Sequence, residues 1–311
     1  MNTVSAGQHK RPPARCTLVI LFNHPYPKNI DKLRSIYGSR FPDMLFLMPL
    51  VKVDDPAVIT VYRGGFNFHG HVADAVEAIA ARQSDLYLFC QDDLLLNPAL
   101  TPASFLEAVD FDRYDGFLPQ PESFSGPGRE DWPWNDRVLS RIADPTSLLL
   151  GGGVENFTKY LPPPGEAAER FARYGITARR YPKPYPQRSR TAGLFSNRSA
   201  ASSSLVELPY PLAVAFSDFF ALRSDALRPV AHYLGLFAAM DLFVEVAVAT
   251  AMILGCRDLA TLGDTRWRVE VDWTDRQEMA KQAPMDLQAV YAKFDETLLY
   301  KHPVKLSSIA L

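Results

Sequence analysis

The sequence has few cysteines and no apolar run long enough to cross a bilayer. Its three cysteines, Cys16, Cys90 and Cys256, are far apart and odd in number, which argues against a disulfide framework and a cysteine-based metal motif. The longest apolar stretch, residues 242–254, is too short for a membrane span and contains Glu245. We therefore expect a protein of the reducing cytoplasm that has no membrane anchor of its own.

An excess of positive charge and a glycine-rich nucleotide motif are also lacking. The formal net charge of the 311 residues is −2, which argues against a nucleic-acid partner. Residues 23–27, after the first apolar run, read Asn-His-Pro-Tyr-Pro. A dinucleotide oxidoreductase needs Gly-x-Gly-x-x-Gly at this place, and a sugar nucleotidyltransferase needs a glycine-rich loop with a basic residue. The first class is excluded, and the second is kept only as an alternative.

Strand and helix patterns alternate along the N-terminal third of the chain. Short apolar runs predict strands at residues 16–22, 44–48, 58–62 and 85–90, and helical spacing predicts helices at 29–37, 72–81 and 103–109. Such alternation is typical of an α/β fold with a doubly wound, mostly parallel sheet. Later patterns predict a strand at 213–222 and helical regions at 225–254 and 285–300.

Changes in composition suggest how the chain is divided. Residues 1–14 are polar and contain proline, so we expect a disordered lead-in. Residues 15–311 are then one domain. Its parts are a strand-and-helix half at 15–118, a proline- and aromatic-rich insertion, rich in loops, at 119–210, and a C-terminal part at 211–311.

An acidic pair, Asp92 and Asp93, follows the fourth predicted strand. Ligands of doubly wound sheets bind outside the carboxyl ends of the strands. Mn²⁺ and Mg²⁺ take oxygen ligands and use one or two carboxylates beside phosphate and water. A turn or a helix N-cap would favour the same residue type, so the spacing alone leaves a metal site and a turn equally open.

The motif around this pair, residues 87–93 (Tyr-Leu-Phe-Cys-Gln-Asp-Asp), resembles the short acidic metal motif of GT-A-fold glycosyltransferases. The resemblance covers about 16–120 and 210–305 and implies a GT-A-like sheet, a nucleotide-sugar donor and Mn²⁺ or Mg²⁺. It implies that Asp93 is a metal ligand and Asp92 a donor contact. The consensus often has Asp where this chain has Gln91, whose amide can still bind a ribose hydroxyl.

The C-terminal run Tyr-Lys-His-Pro, residues 300–303, resembles the segment that completes the metal site in several GT-A families. The resemblance implies that His302 is a second metal ligand, since imidazole suits Mn²⁺. A surface histidine in a frayed tail is the alternative.

Glu245 is the single charged residue in the apolar stretch 242–254. An unpaired carboxylate buried there costs several kcal/mol, so it must pair, face a cleft or have a raised pKa, and it becomes a candidate catalytic base. Asp241, four residues earlier, would share its face in a continuous helix and is a candidate acceptor contact. Asp241 as an N-cap, and Glu245 paired with an arginine, stay open. GT-A enzymes that invert the anomeric centre carry an acid in this region, so the resemblance favours inversion.

Further candidates lie near predicted strand ends or in the insertion. The resemblance implies donor contacts at Asn23, His24 and Tyr26 and an acceptor contact at Asp218. Arg63 is a candidate partner of a donor phosphate, and Trp132 and Trp134 are candidates for stacking on acceptor sugars. A rigid turn, a structural carboxylate and loop-anchoring aromatics are the alternatives for these positions. The range Arg170–Arg190 has seven basic residues and no acid, which suits an acidic or lipid-linked acceptor or an anionic membrane surface, unless it is simply a solvated loop.

The sequence thus predicts a metal-dependent glycosyltransferase that moves a sugar from a nucleotide-diphosphate sugar to a hydroxyl of a glycan or lipid-linked acceptor. Glycan or surface-polysaccharide assembly in the cytoplasm, with peripheral contact at the inner membrane face, is the expected setting. The alternatives are a sugar nucleotidyltransferase and a non-catalytic carbohydrate-binding or scaffold protein with a degenerate site.

Overall fold

The computed structural model describes residues 14–126, 132–142, 157–177, 180–184, 205–208, 211–272 and 285–310. Its strands are β1 Cys16–Leu21, β2 Met44–Pro49, β3 Val58–Val61, β4 Leu86–Gln91, β5 Leu95–Leu96, β6 Gly116–Phe117, β7 Glu122–Ser123, β8 Arg180–Pro184, β9 Leu205–Glu207, β10 Ala213–Val214, β11 Phe219–Arg223, β12 Leu259–Ala260, β13 Arg268–Val271, β14 Met285–Asp286, β15 Leu298–His302 and β16 Ile309–Ala310. Its α-helices are α1 Asn29–Tyr37, α2 Phe68–Asp74, α3 Val76–Ala80, α4 Pro102–Ala108, α5 Asn135–Ile142, α6 Pro164–Ala172, α7 Ser224–Ala239, α8 Val244–Gly255 and α9 Leu287–Tyr291.

A seven-stranded sheet in the order β12-β6-β11-β4-β1-β2-β3 is the centre of the fold. Neighbouring strands are parallel except at β11, which runs antiparallel to β4 and β6. The apolar runs of β1, β2 and β4 are buried along their whole length, as expected for strands covered on both faces. The predicted strands at 16–22, 44–48, 58–62 and 85–90 are all present.

Helices cover both faces of this sheet. Leu18 and Ile20 of β1 point to one face and pack with α1. Val19 and Leu21 point to the other face and pack with α2, α3, α7 and α8. The alternation follows from the two-residue period of a strand. The predicted α/β fold with a doubly wound, mostly parallel sheet is therefore confirmed.

A three-stranded sheet, β13-β15-β5, joins the C-terminal strand β15 to β5, the strand that follows β4 of the main sheet. Tyr300 and Lys301 pair with Leu96 and Leu95, and the Val304 amide donates to the Asp93 carbonyl at 2.6 Å. The predicted helical spacing at 285–300 was therefore only partly right. Residues 298–300 form a strand because their side chains are buried and their backbone pairs with β5. The local sequence pattern carries no information about this distant partner.

The predicted helical region at 225–254 is two helices, α7 and α8, separated at Asp241. Asp241 has a φ of 53° in the left-handed region, which ends the helix. Its carboxylate accepts hydrogen bonds from Asn67, Arg137 and Arg141 at 2.9, 3.0 and 2.6 Å. The expectation that Asp241 and Glu245 share one helix face was wrong, because these distant side chains hold Asp241 outside the helix.

Two shorter predictions also change. The strand expected at 213–222 is divided into β10 and β11 by the loop 215–218, and the helix expected at 72–81 is divided into α2 and α3 at Ala75.

All three cysteines are buried and free. Within the described ranges, no helix combines the length and apolarity needed to cross a bilayer. Residues 1–13 and much of 127–210 lie outside the described residues, so the proposed domain division stays a prediction.

The loop between β3 and α2 packs directly against the end of β1. A Cβ atom on Gly65 would lie 2.2 Å from the Asn23 carbonyl oxygen, whereas one on Gly64 would have no atom within 4 Å. Glycine at position 65, which has no Cβ atom, therefore allows the close approach of the Asn23 backbone.

We expect Gly65→Ala to lower the free energy of unfolding by about 1–3 kcal/mol, because Asn23 must move to admit the methyl group. Gly64→Ala is the matched control and should change it by less than about 0.5 kcal/mol, since Gly64 has an extended backbone that alanine adopts. Urea denaturation of both variants measures the difference. Equal stability of the two variants would contradict the close packing.

Candidate functional site

Polar side chains from four strands meet at the carboxyl edge of the main sheet. Asn23 follows β1, Gln91 ends β4, and His302 ends β15. Asp218 precedes β11, which is antiparallel and therefore begins at the edge where β4 ends. Since ligands of such sheets bind at this edge, the four side chains form the candidate site.

A chain of hydrogen bonds joins three of these residues. Asn23 Nδ2 donates to Gln91 Oε1 at 2.8 Å, and Gln91 Nε2 donates to Asp218 Oδ1 at 3.0 Å. Gln91 and Asp218 are buried, so each amide and carboxylate is held in one orientation. The glutamine at this position thus links the end of β1 to the start of β11.

His302 lies between two carboxylates. Its Nε2 is 3.2 Å from Asp93 Oδ1, and its Nδ1 is 3.1 Å from Asp218 Oδ2. The His302 side chain is fully buried, while the Asp93 side chain is 35% exposed. The site therefore has a rigid inner part, Asp218 and His302, and a solvent-facing carboxylate, Asp93. His302 is not a surface residue of a frayed tail.

The site concentrates negative charge. Burial and the nearby Asp93 carboxylate raise the pKa of Asp92 to about 7, although hydrogen bonds from Asn23 and Asn29 lower it. Burial lowers the pKa of His302, but Asp218 and Asp93 outweigh this effect and raise it from 6.5 to about 10. In the metal-free protein an imidazolium therefore provides the positive charge between Asp93 and Asp218.

The arrangement fits a divalent cation. Asp93 and His302 supply one oxygen and one nitrogen, a donor set that Mn²⁺ accepts beside phosphate and water. Asp218 binds the other ring nitrogen, as carboxylates do behind metal-bound histidines. In the described part of the chain, no group of three or more His, Cys, Asp or Glu side chains could hold a metal ion.

Glu245 lies in the first turn of α8 and is half-buried. Its carbonyl accepts from the Ala215 amide at 3.2 Å, in the loop that leads to Asp218. Burial, followed by the charges of Asp218 and Glu245, raises the pKa of the buried Tyr300 hydroxyl well above its ordinary value. The structure thus brings Glu245 to the side of the candidate site.

Asp241 is engaged by other protein groups. Burial raises the pKa of Asp241, but Asn67, Arg141 and Arg137 outweigh this effect and lower it. The carboxylate links the β3–α2 loop to helix α5. These contacts favour a structural role for Asp241 over direct contact with an acceptor.

The two tryptophans of the insertion pack on Phe243, the residue before α8. Trp134 stacks on the Phe243 ring at 4.7 Å, and Trp132 meets it edge-on at 5.6 Å. Both are partly buried against the core. They anchor the insertion beside Glu245, and sugar stacking on their remaining surface stays a prediction.

The donor candidates near β1 and β3 differ in solvent exposure and in the contacts that they already make. His24 and Tyr26 are exposed in the loop after Asn23. Arg63 instead makes a bidentate ion pair with Asp74 at 2.7 and 2.9 Å. The structure therefore leaves His24 and Tyr26 open to a ligand and uses Arg63 to hold the β3–α2 loop.

The basic range Arg170–Arg190 lies partly outside the described residues. Of its described side chains, Arg170 bonds the Leu254 carbonyl and Glu166, and Arg173 bonds the Arg257 carbonyl. These two arginines fasten α6 to the end of α8, so only the rest of the range remains a candidate for an acidic partner.

Two residues of the site were missed by the sequence interpretation. The Asn29 side chain bonds Asp92 from the start of α1, and Tyr300 lies beside Asp218 and Glu245. A buried asparagine at a helix start gives little sequence signal. Tyr300 gave no signal either, because the strand that places it on the same face as His302 could not be predicted from the local pattern.

No protein-family model and no curated protein sequence matches the chain. Core-mannan synthase A from Aspergillus fumigatus, solved in its Mn/GDP form, is similar at a TM-score of 0.33 and 10% identity, over 84% of this chain and 75% of its own. A glycosyltransferase involved in the glycosylation of the major capsid of PBCV-1 is similar at a TM-score of 0.22 and 12% identity, over 42% of this chain and 77% of its own. Likenesses this distant carry no argument about this chain, whose function is argued from the site itself.

The raised pKa of His302 predicts how stability depends on pH in the metal-free protein. A histidine whose pKa is higher in the folded state stabilises the fold below its unfolded pKa, and this contribution is lost as pH rises through the folded value. The difference in unfolding free energy between wild type and His302→Asn should therefore shrink from pH 6.5 to about 10.

Urea denaturation with a chelator present, in steps from pH 6 to pH 10 (about the range between the two pKa values), measures this difference. A difference that stays constant over the range would show that His302 is not charged between the carboxylates. Asp31→Ala, on the exposed face of α1, is a control that should show no such trend.

Proposed function

We propose that the protein is a divalent-metal-dependent glycosyltransferase that moves a sugar from a nucleotide-diphosphate sugar to a hydroxyl acceptor. The observation that carries this proposal is the pair Asp93–His302, 3.2 Å apart at the carboxyl edge of the sheet, with Asp218 behind the imidazole. A carboxylate and an oriented imidazole at this edge suit a cation that receives its other ligands from a diphosphate.

Asp93 and His302 are the proposed ligands of Mn²⁺ or Mg²⁺. When bound, the cation supplies positive charge that stabilises a departing nucleoside diphosphate. Asp93 offers an oxygen at the solvent-facing side, and His302 offers Nε2 from the buried side. Asp218 fixes the ring through Nδ1, so the nitrogen needs no reorientation when the proton leaves it.

Donor binding is proposed at the end of β1 and β4. Asn23, Gln91 and Asp92 present polar groups at this edge, and His24 and Tyr26 extend from the adjoining loop. Arg63 contributes indirectly, because its ion pair with Asp74 holds the loop that packs against Asn23.

Glu245 is the proposed catalytic base. It takes the proton of the acceptor hydroxyl while the oxygen forms a bond to the anomeric carbon. The bond from that carbon to the diphosphate oxygen breaks, and its electron pair leaves with the diphosphate. Attack from the face opposite the leaving group inverts the anomeric configuration. The half-buried position of Glu245, with its charge acting beside Asp218, supports this role.

The acceptor is proposed to be a glycan or a lipid-linked sugar in cytoplasmic glycan or surface-polysaccharide assembly. Trp132 and Trp134 border Glu245 through Phe243 and would contact sugar rings there. Asp218 acts mainly behind His302, since both of its oxygens face protein partners. Contact with an anionic membrane surface is proposed through the rest of the range Arg170–Arg190, beyond Arg170 and Arg173.

Metal dependence can be tested by thermal shift. With Mn²⁺ present, one of the UDP-, GDP-, CMP- or dTDP-sugars should raise the melting temperature, because ligand binding to the native state stabilises it. Asp93→Ala should lose the metal-dependent part of this shift, since it removes the solvent-facing ligand. Asp31→Ala should retain it.

A shift that does not depend on Mn²⁺, or one that Asp93→Ala retains, would contradict the metal assignment. If no donor shifts the protein with or without metal, the glycosyltransferase proposal fails. Binding of a donor without release of its nucleotide would favour the non-catalytic carbohydrate-binding protein.

Glu245→Gln separates catalysis from binding. Loss of a general base should lower turnover by about 100-fold or more, while the Mn²⁺-dependent thermal shift remains. Nucleotide release, with water or simple sugars as acceptors, measures turnover, and NMR of the product gives the anomeric configuration. Full activity of Glu245→Gln with retention of configuration would exclude the proposed base.

A further inference from the structure

A groove runs along the outer side of β12, the strand at one end of the main sheet. It consists of two adjoining cavities of about 400 and 380 Å³, within the size range of small-molecule sites. The described residues that line the groove lie outside the candidate site. The first cavity is lined by polar and aromatic side chains, among them Arg113, Tyr114, Arg173, Tyr174, Asp258 and Asp264.

The groove reaches the same edge of the sheet as the candidate site. Strand β11 is antiparallel to β4 and β6, and β12 is parallel to β6, so β4 and β12 end at one edge. Thr261, after β12, and Pro121, after β6, line the first cavity at this edge. Three strand spacings separate β12 from β4, which is about 14 Å. An oligosaccharide spans this distance, whereas a single sugar does not.

The outer edge of β12 is closed to a further strand. The Leu259 amide donates to Tyr174 Oη at 2.8 Å, and the Thr261 amide donates to Asp264 Oδ2 at 2.9 Å. Both residues alternate with those whose carbonyls bond β6, so their amides face outward. Side chains cap the edge at these two positions, which disfavours an extended peptide as the ligand.

Charges along the groove are balanced. Arg113 and Arg173 face Asp258 and Asp264 in the first cavity, and Arg173 lies 3.7 Å from Asp258 Oδ1. The side chains of this pair are 58% and 56% exposed, so both remain open to a ligand. The second cavity adds two arginines and two glutamates, Arg170, Arg257, Glu166 and Glu169. A groove without net charge favours a neutral ligand over a phosphate or an anionic lipid.

The side chains of the first cavity suit a hydroxylated ligand. The Arg113 guanidinium lies 4.7 Å over the Tyr114 ring, and Tyr114 Oη donates to Asp264 Oδ1 at 2.9 Å. These contacts hold a donor, an aromatic ring and an acceptor side by side. Sugar hydroxyls accept from guanidinium groups and donate to carboxylates, and the C–H groups of a sugar pack on aromatic rings.

We propose that the groove along β12 binds a neutral oligosaccharide, the part of the acceptor glycan that lies away from the reacting hydroxyl. The inference rests on the proposed function where it names the ligand as the acceptor. Binding in the groove itself needs neither metal nor donor, because its lining residues are separate from Asp93 and His302.

Ligand-observed NMR titrations with maltotriose, cellotriose and mannotriose test the groove, in the presence of a chelator and without donor. At least one of these neutral trisaccharides should bind, and trigalacturonic acid, the anionic probe, should bind more weakly. Arg113→Ala and Arg173→Ala should each raise the Kd by about 10-fold, as expected for lost hydrogen bonds to a charged group. Because the two arginines lie on different elements, loss of folding in one variant leaves the other as a test.

Arg268→Ala is the matched control. Arg268 is 51% exposed and pairs with Asp295 at 2.6 Å, as Arg173 pairs with Asp258, but it lies outside the groove. This variant should bind the trisaccharide as wild type does. Binding of none of the neutral trisaccharides, an unchanged Kd in both groove variants, or stronger binding of trigalacturonic acid would overturn the inference.

Kinetics then test whether the bound sugar is the acceptor. With the trisaccharide that binds, Arg113→Ala should raise the acceptor KM by about 10-fold and leave kcat, the donor KM and the Mn²⁺-dependent thermal shift unchanged. An unchanged acceptor KM would show that the groove does not hold the acceptor. The proposed function fails in a different way, since wild type would then show neither a metal-dependent shift nor nucleotide release, while the NMR titrations still decide whether the groove binds sugar.

Discussion

The pairing of β15 with β5 fixes the candidate site. Tyr300 and Lys301 bond Leu96 and Leu95, and the Val304 amide closes on the Asp93 carbonyl. This backbone contact brings His302 to Asp93 across 209 positions of sequence. It also places Tyr300 beside the loop that carries Asp218. Without it, His302 would not lie beside the acidic pair at the end of β4.

The charges of the site follow from this geometry. Asp92, Asp93 and Asp218 converge at one sheet edge, an arrangement that is unfavourable unless positive charge lies among them. Burial lowers the pKa of His302, but Asp218 and Asp93 outweigh this effect and raise it to about 10, so His302 provides that charge at neutral pH. This positive charge explains why a histidine is buried between two carboxylates.

Asp241 shows how elements around the site are tied together. Its left-handed backbone ends α7, and its carboxylate holds the β3–α2 loop through Asn67 and α5 through Arg137 and Arg141. The β3–α2 loop packs on Asn23, and Phe243 next to α8 carries the tryptophans. The end of β1, helix α5 and the start of α8 are thus connected through one short segment between two helices.

The strands of the main sheet and most of the helices that cover it could be predicted from the sequence alone. Buried parallel strands require continuous apolar runs, and α1 requires helical spacing. It also drew attention to the acidic pair after β4 and to Glu245, since charged groups next to apolar segments stand out, and the resemblance of the C-terminal run pointed to His302. It could not show that Asp241 leaves the helix, that Arg63 is held by Asp74, or that residues 298–302 form a strand. Those outcomes depend on partners distant in the chain, which periodicity does not record. That Asp218 lies 3.1 Å behind His302 follows only from the tertiary structure, because the two residues belong to segments that meet when the C-terminal strand pairs with β5.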